Sequence, residues 1–203
     1  MRLIKIMIIW IDLDEVLAET VEKLLEDNDN IIWNKKVQKE DIKDYYLFKI
    51  EELWLTSESA IELFRKVLAE DKEYRLQPVW AYKKLKSWKE KWNKLKVITA
   101  RPGDLFKEYT LNWLYKYYPN VFDDVFFASD ALIKFDNNWK DATKKSVICK
   151  NIWVDVMIED NLEYAQDVVN CDIKTYLITK PWNKDFQETK NIIRVKSWDE
   201  IDI

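Results

Sequence analysis

Two aspartates separated by a single leucine, Asp12 and Asp14, close an apolar run that begins at Ile4. Alternate side chains of an extended chain project to the same side, so the two carboxylates are expected to share one face. Carboxylates held that close repel each other unless a cation, a proton or a hydrogen-bond donor lies between them, and Mg²⁺ is the simplest such occupant. Other polar groups follow apolar segments in the same manner. Thr99-Ala100-Arg101-Pro102 comes after Leu95 to Ile98, Glu159-Asp160-Asn161 comes after Val154 to Ile158, and Lys144-Lys145 opens the segment between them. Each group has an ordinary structural reading: Thr99 as a β-branched residue at a strand end, Glu159-Asp160 as a solvated loop, Lys144 or Lys150 in place of Lys145.

Absences narrow the chemistry further. The 203 residues include no histidine, which excludes Ser-His-Asp and Cys-His nucleophile pairs and histidine-containing zinc sites. The single glycine, Gly103, excludes both a Walker A loop and a GxGxxG dinucleotide fingerprint. Any catalysis must run on carboxylates, lysines, hydroxyls and backbone amides. Cys149 and Cys171 lie in apolar-patterned segments and are expected to be free thiols in a reducing, cytoplasmic compartment. A net charge of -4 offers no general attraction to a nucleic acid polymer or an anionic membrane, and no stretch has the apolar length of a membrane span. A small anionic substrate would need local positive groups.

The elements that must position these residues follow from hydrophobic pattern. The run before Asp12 is apolar at nearly every position, as a strand covered on both faces must be. A helix is expected over Val16 to Leu25, broken by the polar Asp27 to Asn30, followed by a self-contained helical insertion with Ala60, Phe64 and Val67 on one face and Thr56 or Ser57 as N-cap. From Pro78 helix and strand alternate. Tyr82, Leu85, Trp88, Trp92 and Leu95 form an apolar helical stripe among solvated lysines, and strands are expected at Leu95 to Ile98, Val125 to Ala128, Val154 to Ile158, Ile173 to Ile178 and Ile192 to Val195. Helices are expected at Leu105 to Tyr118, Thr143 to Ile152 and Leu162 to Val169, with a polar excursion through Asn137 and Asn138. The fold class is therefore α/β, a three-layered Rossmann-like parallel sheet. Residues 1–18 and 76–203 form its core, and 19–75 form a small helical cap inserted after the first strand.

The motif order, IDLDEVLAE, then VITARP, then KKSVICK, then VDVMIEDN, resembles that of the haloacid dehalogenase-like phosphatases over nearly the whole chain. With TKPWN it looks most like the branch of 5'-nucleotidases and 5'(3')-deoxyribonucleotidases. The resemblance implies a Mg²⁺-dependent phosphomonoester hydrolase with Asp12 as nucleophile and Asp14 as general acid and base. It implies Mg²⁺ on Asp12, the Asp14 carbonyl and Asp160, and phosphate binding by Thr99, the Ala100 amide and Lys145. The implied substrate is a nucleoside monophosphate, with Tyr45, Tyr46 and Phe48 of the cap as candidates to stack on its base; a sugar phosphate or other small metabolite is the alternative. A non-catalytic phospho-ligand or protein-binding module is the alternative of another class. Glu15 and Glu159 stand where relatives often carry glycine and aspartate.

Tryptophan is as unusual as glycine. Of the 11 tryptophans, Trp54, Trp80, Trp92 and Trp153 fall at helix ends or turns, where chains often need the left-handed conformation that glycine supplies, whereas Trp182 and Trp198 sit in family-like contexts. The pattern suggests UGA codons read as glycine in the native host.

Overall fold

The structure, a computed structural model, describes residues 5–28, 37–69, 71–128, 144–169 and 171–203. Asn137, Asn138 and Thr143 lie outside these residues.

Six strands make one parallel sheet: β1 (Ile8–Ile11), β2 (Lys94–Thr99), β3 (Asp124–Phe127), β4 (Val156–Glu159), β5 (Lys174–Ile178) and β6 (Ile192–Val195). Their order is β3-β2-β1-β4-β5-β6. The apolar run before Asp12 is buried because β1 lies mid-sheet, paired in parallel with β2 through Ile11–Val97 and with β4 through Ile11–Ile158. The order reverses at β1. The chain first adds strands on one side of it and then on the other, which opens a crevice between the carboxyl ends of β1 and β4, where ligands bind in open α/β sheets.

The described helices are α1 (Thr20–Asn28) and α2 (Ser57–Ala69) in the insertion, then α3 (Tyr82–Glu90), α4 (Gly103–Tyr117), α5 (Lys145–Asn151) and α6 (Leu162–Val169), of which α3, α4 and α6 pack on strands of the sheet. Between α1 and α2 the described chain forms three short 3-10 turns, Lys39–Asp41, Leu47–Lys49 and Glu51–Leu53. The described part of the insertion is thus less helical than its pattern suggests. Thr56 caps α2, its hydroxyl accepting the Ser59 N–H at 3.2 Å. Helix α2 packs against α1 and α4.

The first helix begins four residues later than its apolar pattern implies. Glu15 adopts φ 64°, its N–H bonds to the Ala18 carbonyl at 2.7 Å, and Ala18 bridges to Pro78. Residues Leu13 to Ala18 therefore form a tight turn whose apolar side chains are buried by tertiary packing, a burial that periodicity alone reads as helix. In α3, Leu85 and Trp88 are buried as expected, but Trp92 lies beyond the helix and is 76% exposed. Trp54, Trp92 and Trp153 have φ of 52°, 68° and 56°, as their glycine-like positions predict; Trp80 does not have positive φ. Cys149 and Cys171 are not joined in a disulfide. No helix of the described residues is long and apolar enough to cross a membrane.

Candidate active site

The crevice between β1 and β4 collects most of the polar residues singled out in the sequence. Asp12 follows β1 directly, and its N–H continues the ladder to the Ile158 carbonyl at 3.0 Å. Glu159 ends β4, and Asp160 begins the turn into α6. Ligand atoms of Asp12, Glu159 and Asp160 lie within 4.8 Å of one another, and all three residues are buried. Lys145, the first residue of α5, enters this cluster with only 1% of its side chain exposed, donating to Asp12 Oδ1 at 2.5 Å and Glu159 Oε2 at 3.2 Å. The rings of Tyr164 and Trp10 lie 4.2 and 5.6 Å from its ammonium. Of the candidate lysines, Lys145 is the one the fold brings to the site; Lys144 is the N-cap of α5 and Lys150 is exposed.

The electrostatics follow from burial. Desolvation, then Glu159 and Asp14, push the Asp12 carboxyl up to about 8 against the opposing pull of Lys145. Asp160 is likewise raised, by burial first and then by Glu159 and Asp12. Burial pulls Lys145 down, but Asp12 and Glu159 outweigh it and its ammonium stays charged. Three buried carboxyl groups face one cation, so the cluster is short of positive charge. Its hydrogen bonding is incomplete in the same sense. Asp160 Oδ2 accepts the Trp182 indole N–H at 2.9 Å, whereas Oδ1 is buried with no hydrogen-bond partner among the described residues. Buried acceptors are seldom left so. Oxygen donors, negative charge and an unmatched carboxylate oxygen fit a hard divalent cation such as Mg²⁺.

Glu159 does different work from its neighbours. Oε1 accepts the N–H groups of Asp160 and Asn161 at 3.2 and 3.1 Å, and Oε2 accepts from Lys145. Both its oxygens are occupied in holding the turn and the lysine. Asn161 Oδ1 accepts from Glu163 N–H at 2.8 Å and fixes the start of α6, while Asn183 ties the Asp160 carbonyl to that of Ile178 at 2.7 and 2.8 Å.

Asp14 stands apart from the cluster. Its carboxylate accepts from the Thr20 hydroxyl at 2.5 Å and from Arg101 through Nε at 2.9 Å and Nη2 at 2.5 Å. Arg101, 3% exposed, also donates to the Thr110 hydroxyl at 3.2 Å. Thr99 is fully buried, and its hydroxyl accepts the Arg101 N–H at 3.1 Å, which shapes the loop after β2. Ala100 lines the adjoining cavity. The sequence reading missed Arg101; the signal lay in VITARP, where a cation follows Thr99-Ala100.

That cavity, about 150 Å³, opens beside Asp14 between the core and the insertion. Arg101 and Asp14 give it a charged end. Tyr46, Phe48, Phe64, Phe106 and Trp182 give it apolar walls. Tyr45 also lines it, its ring meeting those of Tyr164 and Trp182 edge-on at 6.3 and 6.5 Å.

The sequence matches no established protein-family profile and no curated protein. Solved structures do match the fold. A haloacid dehalogenase-like family hydrolase from Streptococcus pneumoniae superposes with a TM-score of 0.59 at 14% identity, covering 86% of this chain and 85% of that one. CbbY from Rhodobacter sphaeroides in complex with phosphate gives 0.57 at 15%, covering 97% and 96%. A mutant of CbbY in complex with xylulose-1,5-bisphosphate gives 0.58 at 14%, covering 97% and 96%. These names do not single out the nucleotidase branch. The chain has the haloacid dehalogenase-like fold.

Proposed function

We propose that the chain is a phosphomonoester hydrolase acting on small phosphorylated metabolites. The observation that carries this reading is the buried cluster of Asp12, Lys145, Glu159 and Asp160 at the strand-order reversal, with one Asp160 oxygen left for a cation. Asp12, Asp160 and the Asp14 carbonyl would hold Mg²⁺, which when bound offsets the repulsion between carboxylate and phosphate.

In this reading Asp12 attacks phosphorus, forming an acyl phosphate as the bond to the leaving oxygen breaks. Asp14 gives that oxygen a proton and afterwards takes one from the water that attacks the acyl phosphate, so that inorganic phosphate leaves and both carboxyl groups regain their starting states. Lys145 and the Ala100 amide stabilise charge on the transferring phosphoryl oxygens. Thr99, with its hydroxyl turned to the Arg101 N–H, contributes by holding the Ala100 amide in place.

Two substrate classes have support of different kinds. Structural neighbours in complex with phosphate and with xylulose-1,5-bisphosphate favour a sugar phosphate. The aromatic walls of the cavity favour a nucleoside monophosphate, whose base could stack on Tyr46 or Phe48. Phosphate release from a panel of sugar phosphates and ribo- and deoxyribonucleoside monophosphates, with Mg²⁺ and with EDTA, tests both. Metal-dependent turnover lost in Asp12→Asn supports the hydrolase, and the substrate ranking chooses the class. A well-folded protein with no turnover on any member overturns the reading.

A further inference from the structure

Glu15, at the position after the Asp12-Leu-Asp14 motif, takes part in neither metal nor phosphate binding in the proposed reaction, yet it is 3% exposed and holds a left-handed φ of 64°. Its side chain joins three separate pieces of chain. Oε1 accepts the Val21 N–H in the first turn of α1 at 2.7 Å. Oε2 meets Lys39 of the insertion at 2.7 Å and Lys180, beyond β5 in the core, at 3.2 Å. Lys39 and Lys180 are themselves largely covered, with 15% and 14% of their side chains exposed.

We propose that Glu15 is a pin that fastens the insertion to the core beside the cavity, so that movement of residues 37–42 away from the core requires this carboxylate to release Lys39. The geometry explains why a glutamate tolerates a left-handed backbone here. Charge-assisted bonds in a covered setting are about twice as strong as neutral ones and outweigh the local strain. The Tyr46 hydroxyl, which reaches Glu163 of α6 at 3.2 Å, adds a weaker tie between the insertion and the core, farther along the chain.

Amide hydrogen exchange tests the pin without any substrate, so its failure is separate from failure of the hydrolase reading. Glu15→Gly removes the carboxylate while relaxing the backbone, and Lys39→Met cuts the pin from the other end with Glu15 in place. Both variants are expected to raise exchange several-fold in residues 37–42 and to leave β2 and β5 protected as in the parent. Exchange unchanged at 37–42 in either folded variant overturns the proposal.

A different observation carries a second inference. Trp10, Trp113 and Trp198 are buried and each donates its indole N–H to a backbone carbonyl, Trp88 is buried against the Trp198 ring, and Trp182 bonds to Asp160. Trp54, Trp80, Trp92 and Trp153 are 88%, 98%, 76% and 82% exposed. Two of them occupy helix ends of a defined kind. After α3, the Trp92 N–H bonds to the Lys89 carbonyl and the Asn93 N–H to that of Trp88; after α5, the Trp153 N–H bonds to that of Lys150 and the Val154 N–H to that of Cys149. These are Schellman motifs, and in both the left-handed residue is tryptophan where glycine is usual. Trp54 is likewise left-handed after the Glu51–Leu53 turn.

We infer that Trp54, Trp92 and Trp153, and by its exposure Trp80, are glycines in the native protein, specified by UGA codons read as glycine. The codons decide first: UGA at 54, 92 and 153 with UGG at 10, 113 and 198 supports the inference, and UGG at 54, 92 and 153 overturns it. Peptide masses from the native cells test it independently, since glycine and tryptophan at these positions differ in mass; tryptophan masses at 54, 92 and 153 overturn it as well. In the tryptophan form of the chain, Trp92→Gly and Trp153→Gly are each expected to raise the thermal midpoint, while Trp113→Gly lowers it; a fall in both of the first two also overturns the inference.

Discussion

Arg101 grips Asp14 through two parallel bonds, Nε to Oδ2 at 2.9 Å and Nη2 to Oδ1 at 2.5 Å. The arginine is buried and has one further donor on Thr110. Both oxygens of Asp14 therefore accept from the same guanidinium, and a proton-transfer role requires the carboxylate to leave that fork. Arg101→Lys keeps the charge and loses the fork. Because a misplaced reacting group can cost about 100-fold, Arg101→Lys is expected to lower kcat by roughly that factor with a smaller change in KM. Arg101→Met also removes a buried partner and is expected to cost about 3 kcal/mol in urea unfolding.

Acidification should affect this protein in two opposite ways. The Asp12 carboxyl is raised to about 8 and that of Asp160 is raised as well, so between the usual carboxylate range and pH 8 the folded, metal-free protein binds more protons than the unfolded chain. By linkage its stability rises as pH falls through that window. Asp71 and Asp123 have the opposite sign. Burial raises each, but bonds from Arg75 and Tyr109, and from Lys89 and the Leu95 N–H, outweigh it, so the stability they contribute is lost below the unfolded carboxylate range. Urea midpoints in EDTA should therefore increase from about pH 8 to about pH 5 and fall again below about pH 4. With saturating Mg²⁺ the upper slope should flatten, because a cation takes the place of the proton.

Asp71 joins the end of the insertion to the core. It accepts the Arg75 N–H at 2.5 Å and the Tyr109 hydroxyl of α4 at 3.3 Å, and it is 4% exposed. Asp71→Ala leaves both donors without their acceptor and is expected to cost about 2 kcal/mol by chemical denaturation.

The parallel sheet was legible because β1, β4 and β5 are buried on both faces and so read as unbroken apolar runs ending in polar residues. Asp12 and the Glu159-Asp160 pair were legible for the same reason. The role of Arg101 was not, since it depends on β2 lying beside β1, and no local pattern carries that adjacency. Nor was the start of α1. The buried residues Val16, Leu17 and Ala18 belong to a turn whose course is set by the positive φ of Glu15 and by the bridge from Ala18 to the distant Pro78. The three left-handed tryptophans were legible through the turns around them, and Trp80 departs from that pattern because an exposed position before a helix needs no left-handed residue.

Trp182 donates its indole N–H to Asp160 Oδ2, so it orients the carboxylate whose other oxygen is unmatched. Groups that orient a ligand typically tune metal affinity by about 10- to 100-fold. Trp182→Phe retains an aromatic ring and removes the donor. The expected outcome is a rise of about that size in the Mg²⁺ concentration needed for half-maximal activation, with little change in thermal midpoint in EDTA. Equal Mg²⁺ requirements would assign Trp182 to packing alone.

Glu159 separates the charge of its site from its shape. Its oxygens accept from Lys145 at 3.2 Å and from the N–H groups of Asp160 and Asn161, so the side chain acts as an acceptor in each of these bonds. Glu159→Gln preserves volume but replaces one acceptor with an NH₂ group. If the remaining oxygen keeps the backbone N–H groups, that NH₂ faces the Lys145 ammonium, donor against donor, in a buried setting. The folded protein should lose about 1 to 3 kcal/mol through the unsatisfied buried group. Lys145 should then titrate lower, because Glu159 is one of the two carboxylates that keep it charged. Activity should accordingly fall on the alkaline side at a lower pH than in the parent, and the acidic limb should move to lower pH as well, because the Glu159 charge helps to hold the Asp12 carboxyl up. A uniform loss of kcat with an unshifted alkaline limb would instead mean that Glu159 acts only by holding the turn to α6.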